Sequence, residues 1–340
     1  MRVKEMLVAS AVVLAGCGEI TNEDLVFLAA VPDSEELELI VEDEQVQAVA
    51  GVAQQAQLGE VSELYLALSE AAEQVNVQVE FVLEFVDDLG RVGPPSAREA
   101  DRRIWEGPLS DTTLGRLEIS RRSGSDGTPT YTFCLHGILR DAPRSGDPVC
   151  VNDRAVTDGS NGWRAVLFGD FSPRSSLEGA RTGTGNITLD FEAARPINLT
   201  EPGDEGRVTY DYDIEEGGEA RELTLFVTPP ESPLPEKDTF RWSYALDDDN
   251  DVSLFIEFDD NAEDTDPSVQ ELLQIDSCWN LNGPGLADFT ISMGDIPATS
   301  TLSGRECWDV NRLRTFQQFN VDESTFSAGD ASSCPVSCGS

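Results

Sequence analysis

Apolar residues fall at Val61, Leu64, Leu68, Ala72, Val75, Val79, Val82, Phe85 or Val86, and Leu89, each three or four positions after the last, which is one face of an α-helix. A rival alternation over Val75, Val77, Val79, Phe81, Leu83 and Phe85 has the period of a strand, but the helical spacing continues on both sides of it. The segment 46–92 is therefore read as helical. Gly90, Gly93, Pro94 and Pro95 end it, because proline lacks the backbone N–H and pushes its predecessor out of the helical region. Beyond residue 100 the pattern shortens to alternating runs separated by Gly, Pro, Asp and Asn. Ile187, Leu189 and Phe191 alternate with Thr188, Asp190 and Glu192; Val208, Tyr210, Tyr212 and Ile214 alternate with Thr209, Asp211 and Asp213. Phe240, Trp242, Tyr244 and Leu246 answer Val252, Leu254, Ile256 and Phe258 across the acidic turn 247–251, and the run 221–228 pairs back across 215–219. Further runs lie at 115–122, 131–136, 163–171, 287–293 and 313–319. The expectation is an α+β chain, mainly β. An antiparallel meander of about 10–12 strands over residues 100–322 curls into a barrel, half-barrel or sandwich. The helical region supplies an apolar stripe that covers or plugs one sheet face.

The chain begins with Arg2 and Lys4, then nine apolar or small residues over 6–14, then Ala15 and Gly16 before Cys17, the order of a secretory signal. As a helix that run rises about 14 Å, less than half of a hydrocarbon core of about 30 Å, so it does not span. Leu14-Ala15-Gly16-Cys17 resembles the lipobox of bacterial lipoproteins. The resemblance implies that residues 1–16 are removed and that Cys17 carries a thioether-linked diacylglycerol, often with a further acyl chain on its new amino group. Two or more chains anchor stably where one does not. Gly18 stands where an aspartate would imply retention in the inner membrane, so the resemblance points to the outer membrane, with the membrane as partner through the lipid on Cys17.

With 64 acidic and 23 basic residues the net charge is −41, which excludes nucleic acid as a partner because a polyanion repels phosphate backbones. The acids are unevenly placed: residues 18–90 hold eighteen Asp or Glu and no Lys or Arg. Residues 17–45 are read as an acidic tether of little regular structure that holds the domain off the membrane. The aromatic and aliphatic content is enough for a packed core. Setting Cys17 aside leaves an even set of cysteines, Cys134, Cys150, Cys278, Cys307, Cys334 and Cys338, in a compartment where disulfides persist. Pairing nearest neighbours gives Cys134 with Cys150, Cys278 with Cys307, and Cys334 with Cys338, the last pair in a C-terminal tail over 323–340. No Cys-x-x-Cys occurs and His136 is the single histidine, so a zinc site of usual spacing is not available.

Pro94-Pro95, Trp105-Glu106-Gly107-Pro108, Gly183-Thr184-Gly185 before Leu189-Asp190-Phe191, and Glu306-Cys307-Trp308-Asp309 together resemble a group of acidic extracytoplasmic bacterial lipoproteins; that resemblance implies architecture and no activity. Candidate chemistry is sparse. Asp247, Asp249 and Asp251 gather oxygen ligands of the kind a structural Ca²⁺ prefers, but the sixth and twelfth positions from Asp247 are Val252 and Phe258, not the glycine and glutamate of an EF-hand loop. Gly183-Thr184-Gly185 precedes a strand, whereas phosphate loops follow one. Ser125 and Ser160 lack a nucleophile-elbow setting, and His136 alternates onto the face of Thr132 and Cys134 as a structural imidazole. Carboxylate chemistry on a glycoside has outward-facing candidates in Asp190, Glu192, Asp211, Asp213 and Glu257, with Trp105, Trp163, Trp242, Trp279 and Trp308 as a sugar-stacking surface or as core. The expected function is that of a membrane-anchored, non-enzymatic binding or envelope-structural lipoprotein. The alternatives are a half-barrel carrier of an apolar ligand and a carboxylate-based carbohydrate-active enzyme.

Overall fold

The computed structural model describes residues 19–32, 34–41, 58–91, 93–124, 127–144, 146–148, 150, 162–174, 182–199, 207–214, 221–228, 240–247, 249–260, 271–292, 302–321 and 324–335. Two short helices, α1 (Asn22–Leu28) and α2 (Ser34–Leu37), precede the long helix α3 (Glu63–Arg91). One antiparallel sheet follows: β1 (Ala97–Arg98), β2 (Arg102–Pro108), β3 (Thr113–Ser123), β4 (Pro129–Leu139), β5 (Arg164–Pro173), β6 (Gly183–Asp190), a helical turn α4 (Phe191–Ala194), β7 (Arg207–Ile214), β8 (Arg221–Thr228), β9 (Phe240–Leu246), β10 (Asp251–Asp260), β11 (Glu271–Asn280), β12 (Gly285–Ser292), β13 (Leu302–Trp308), β14 (Arg314–Val321) and β15 (Ser324–Gly329). Each strand pairs with the next, in the order β1 to β15, and the two outermost strands do not pair with each other. The sheet is an open meander and not a closed barrel. Among the described residues it has fifteen strands, more than the pattern of alternation suggested.

The sheet has one apolar face. Trp105, Leu117, Leu135, Leu167, Leu189 and Val208 are successive cross-strand partners from β2 to β7, and all are buried. Tyr244, Leu254, Ser277, Ala287 and Glu306 continue such a row from β9 to β13. Helix α3 presents Tyr65, Leu68, Ala72, Val75, Val79, Leu83 and Val86 to the same core, the spacing of a helical stripe. Each buried aliphatic side chain contributes about 1.5–3 kcal/mol, which is why this stripe and not the competing strand pattern decides the local structure. Along its length α3 touches β2 and β3, while Tyr65 near its start packs on Trp279 of β11 and Trp308 of β13. In a flat sheet β2 and β13 would stand about 50 Å apart, more than the roughly 44 Å of the whole helix. The sheet therefore curls, with the helices on its concave side. Gly285 lies between Trp279 and Trp308 in the register, and a Cβ there would come within 2.4 Å of Trp279 and 2.6 Å of Trp308, so only glycine admits both indoles.

Two expectations for the N-terminal part are revised. Helix α3 is found over Glu63–Arg91, while residues 46–57 and 92 of the expected helical segment lie outside the described residues. The acidic tether is, over residues 19–41, a docked element: Phe27, Val31, Leu37, Leu39 and Val41 are buried in the main core. The apolar residues of that segment find partners in the concave face, and acidic composition does not keep them in solvent.

The disulfides are a second correction. Cys134–Cys150 forms as expected, with Cα atoms 5.5 Å apart, on the outer face beside Ala165 and Phe168. Cys307, however, pairs with Cys334 at 5.3 Å, not with Cys278. Cys278 and Cys307 sit on the same outer face but flank Leu286 of β12, two strand spacings or about 9.5 Å apart, which is beyond the reach of a disulfide. Cys278 is itself disulfide-bonded, and Cys338 lies outside the described residues. The pairing of Cys334 with Cys338 falls with the same observation; within the expected tail, β15 adds to the sheet and Cys334 is tied to β13. Since Cys307–Cys334 closes a 27-residue separation, replacing both cysteines by alanine is expected to lower stability by about 3–4 kcal/mol. Denaturant unfolding followed by far-UV circular dichroism measures it, and an unchanged midpoint would contradict the assignment of that bridge.

Candidate functional site

Among the described residues, two clusters of buried charged side chains hold the N-terminal helices to the concave face of the sheet. The first is centred on Asp24, which is fully buried. Thr21 and Asp24 make a capping box: Thr21 Oγ1 accepts from the Asp24 N–H at 3.2 Å and Asp24 Oδ2 accepts from the Thr21 N–H at 2.9 Å. The same carboxylate accepts from Arg98 Nη2 at 2.8 Å, Arg98 Nε at 3.2 Å and Arg103 Nε at 2.9 Å. Burial alone would push the Asp24 carboxyl up, but the hydrogen bonds from Arg98, Thr21 and Arg103 outweigh it and hold the group well below the usual carboxylate range. The guanidinium groups of Arg103 and Arg121 lie 4.6 and 5.0 Å from the centre of the Phe27 ring, which meets Tyr131 of β4 edge-on. Arg98 Nη2 also donates to the Glu19 carbonyl at 2.9 Å, so docking begins at the first described residue.

The second cluster sits where α3 begins. Glu306 Oε1 accepts from the Glu63 N–H at 3.0 Å and from Arg314 Nε at 2.6 Å, placing a carboxylate at the positive end of the helix. Arg312 donates to the carbonyls of Leu281 and Gly283, both at 2.6 Å, and lies 4.9 Å from the Tyr65 ring centre. These contacts explain the Glu306-Cys307-Trp308-Asp309 motif residue by residue. Glu306 holds the helix, Cys307 bonds Cys334 on the outer face, and Trp308 packs on Tyr65 inside. Asp309 Oδ1 closes the following turn by accepting from the N–H groups of Asn311 and Leu313.

Among the described residues, those singled out for chemistry do not converge. Cys17, Ser125 and Ser160 lie outside the described residues. His136 is buried on the outer face beside Cys134, in register with Arg116 and Ala165. Asp247 Oδ1 accepts from the N–H groups of Asp249 and Asp251, both at 2.9 Å, while Asp251 accepts from Asn280 Nδ2 at 2.8 Å. These acids shape a hairpin turn, and among the described residues no group of three His, Cys, Asp or Glu is placed to hold a metal ion. Asp190 caps α4 and pairs with Arg207 at 2.6 Å, Asp213 pairs with Arg174, and Glu257 accepts from Gln274 at 2.7 Å. Asp211 is exposed and, with Asp170, flanks Asn186 on the outer face. Burial raises the Asp170 pKa, against a hydrogen bond from Asn186 and with a smaller push from Asp211. Glu192 is exposed.

Among the described side chains the tryptophans do not form a stacking surface. Trp105, Trp163, Trp279 and Trp308 are buried, and the side chain of Trp242 lies outside the description. Trp279 and Trp308 belong to the core as expected of tryptophans beside cysteines, but strand alternation points them to the face opposite Cys278 and Cys307. The residues that sequence reasoning missed are the buried charges Asp24, Arg103, Glu306 and Arg314. The signal available for the first was the Thr21-to-Asp24 spacing of a capping box. Comparison with protein-family models, with curated proteins and with solved structures finds no match to the chain.

Proposed function

We propose that the protein is an extracytoplasmic lipoprotein, anchored by lipid on Cys17 to the outer membrane and acting in binding or envelope structure, not catalysis. The observation that carries the reading is Leu14-Ala15-Gly16-Cys17 behind a basic start and a short apolar run. Cysteine usage supports it. All five cysteines among the described residues are disulfide-bonded, as suits an oxidising compartment, and Cys17 stands apart from them in the chain. The non-enzymatic part is supported by the buried charges, which are engaged in holding helices to the sheet, and by outward carboxylates spread over different strands.

The test is Cys17→Ala. The variant is expected to leave the outer-membrane fraction and appear in the soluble extracytoplasmic fraction, with the native protein as the reference. Retention in the membrane fraction would overturn the reading. A carrier of apolar ligands is the second reading, favoured by one observation: Phe319 and Phe326 of β14 and β15 are 38% and 62% exposed beside Phe289. Apolar ligand recovered in stoichiometric amount from the soluble Cys17→Ala protein would favour it, and none would remove it.

A further inference from the structure

We propose that the face made by α1 and the β1–β3 edge lies flat on the bilayer, with Ile20 and Leu25 touching anionic headgroups; this rests on the lipid-anchor reading above. Three observations meet at this face. The first is reach: Glu19 is already held by Arg98, and only Gly18 separates it from Cys17. Two residues of chain extend about 7 Å at most, so a lipid on Cys17 keeps this corner of the sheet at the membrane surface and leaves no length for a stand-off tether.

The second observation is charge. In a protein with 64 acids and 23 basic residues, this corner carries Arg98, Arg102, Arg103, Arg121 and Arg122 against Glu19, Glu23, Asp24, Glu99, Asp101 and Glu118. Most of these are paired with one another: Arg98 with Asp24, Arg102 with Glu99 and Glu118, Arg103 with Asp24 and Glu23, Arg121 with Glu23. A near-neutral face is the one a strongly anionic molecule can bring to an anionic surface without repulsion. The third is apolar exposure. Leu25 is 53% exposed, on the side of α1 away from the buried Phe27, and Ile20, just before the cap of that helix, is 41% exposed; interfacial contact gives such side chains an apolar environment.

The experiment uses the native, acylated protein in vesicles of phosphatidylethanolamine and phosphatidylglycerol that carry nitroxide-headgroup lipid. A fluorophore is placed through Leu25→Cys, through Ile20→Cys as a second reporter, and through Asp111→Cys at the exposed β2–β3 hairpin tip. That tip lies about 20 Å along the strands from Arg103. Emission at positions 20 and 25 is expected to lose most of its intensity, with position 111 unaffected. Equal quenching at all three sites, or none at 20 and 25, in protein whose mass shows acylated Cys17 would overturn the apposition while leaving the anchor intact. A mass showing unmodified Cys17 would overturn the reading beneath it.

Discussion

Asp24→Ala is expected to lower the stability of the folded protein by about 2–4 kcal/mol, because it takes the buried carboxylate from Arg103, which keeps only the half-exposed Glu23, and from the part-exposed Arg98. The loss of the capping box adds to this in the same direction. Denaturant unfolding measures the effect, and a change under about 1 kcal/mol, the scale of a surface ion pair, would show that the cluster does not hold α1 down. The charge of the group makes the effect pH-dependent. The Asp24 pKa is depressed in the folded protein, so the unfolded chain takes up the proton first. Its contribution is complete at neutral pH, begins to fade below about pH 4, where an ordinary aspartate titrates, and is lost as the pH falls through the depressed folded value. Wild type should therefore lose stability more steeply than Asp24→Asn on acidification below pH 4. Parallel curves would rule out Asp24 as the group responsible.

The same cluster explains how much of this molecule was legible. Strands with one clean apolar face were read in place and in register: the hairpin of β9 and β10 pairs Leu246 with Val252, Tyr244 with Leu254 and Trp242 with Ile256, as alternation required. The strands missed were β1, β2, β11, β13 and β15. Three of them carry a buried polar residue on the core face: Arg103 in β2, Ser277 in β11 and Glu306 in β13. Hydrophobic periodicity registers such a residue as a break, although each has a partner across the chain: Asp24 for Arg103, the Leu254 carbonyl for Ser277, and Arg314 for Glu306. β1 has two residues, and β15 is almost wholly exposed, so neither has a face to detect. The disulfide error has a related origin. Sequence distance ranks Cys278 with Cys307, while the meander puts a whole strand between them.

Residues 19–41 show the same limit on composition. Their acids suggested a solvated spacer, yet one of those acids, Asp24, is what fixes the segment to the sheet, and Tyr65 Oη and Trp279 Nε1 both donate to the Val41 carbonyl at 3.2 Å. The anchor proposed at Cys17 thus adjoins the domain through a packed element, with Gly18 alone between Cys17 and the docked Glu19. A lipid on Cys17 would act on the β1–β3 edge directly, with orientation set by α1.

Glu306→Ala is expected to cost about 3–5 kcal/mol, a fall in melting temperature of roughly 10 °C, and to loosen the start of α3. The side chains of Glu306 and Arg314 are 4% and 1% exposed, so removing the carboxylate strands a guanidinium in the core and uncaps the Glu63 N–H. The partners distinguish a need for charge from a need for volume. A buried pair is costly to break but often neutral to replace by apolar groups of similar size. The double variant Glu306→Leu with Arg314→Met should therefore recover most of the loss, short of about 1 kcal/mol for the missing helix cap. A double variant as unstable as Glu306→Ala would mean that the Glu306 carboxylate is required in its own right, as the cap that seats α3 against Trp308. The cost of that single variant would then belong to the helix start and not to the stranded arginine.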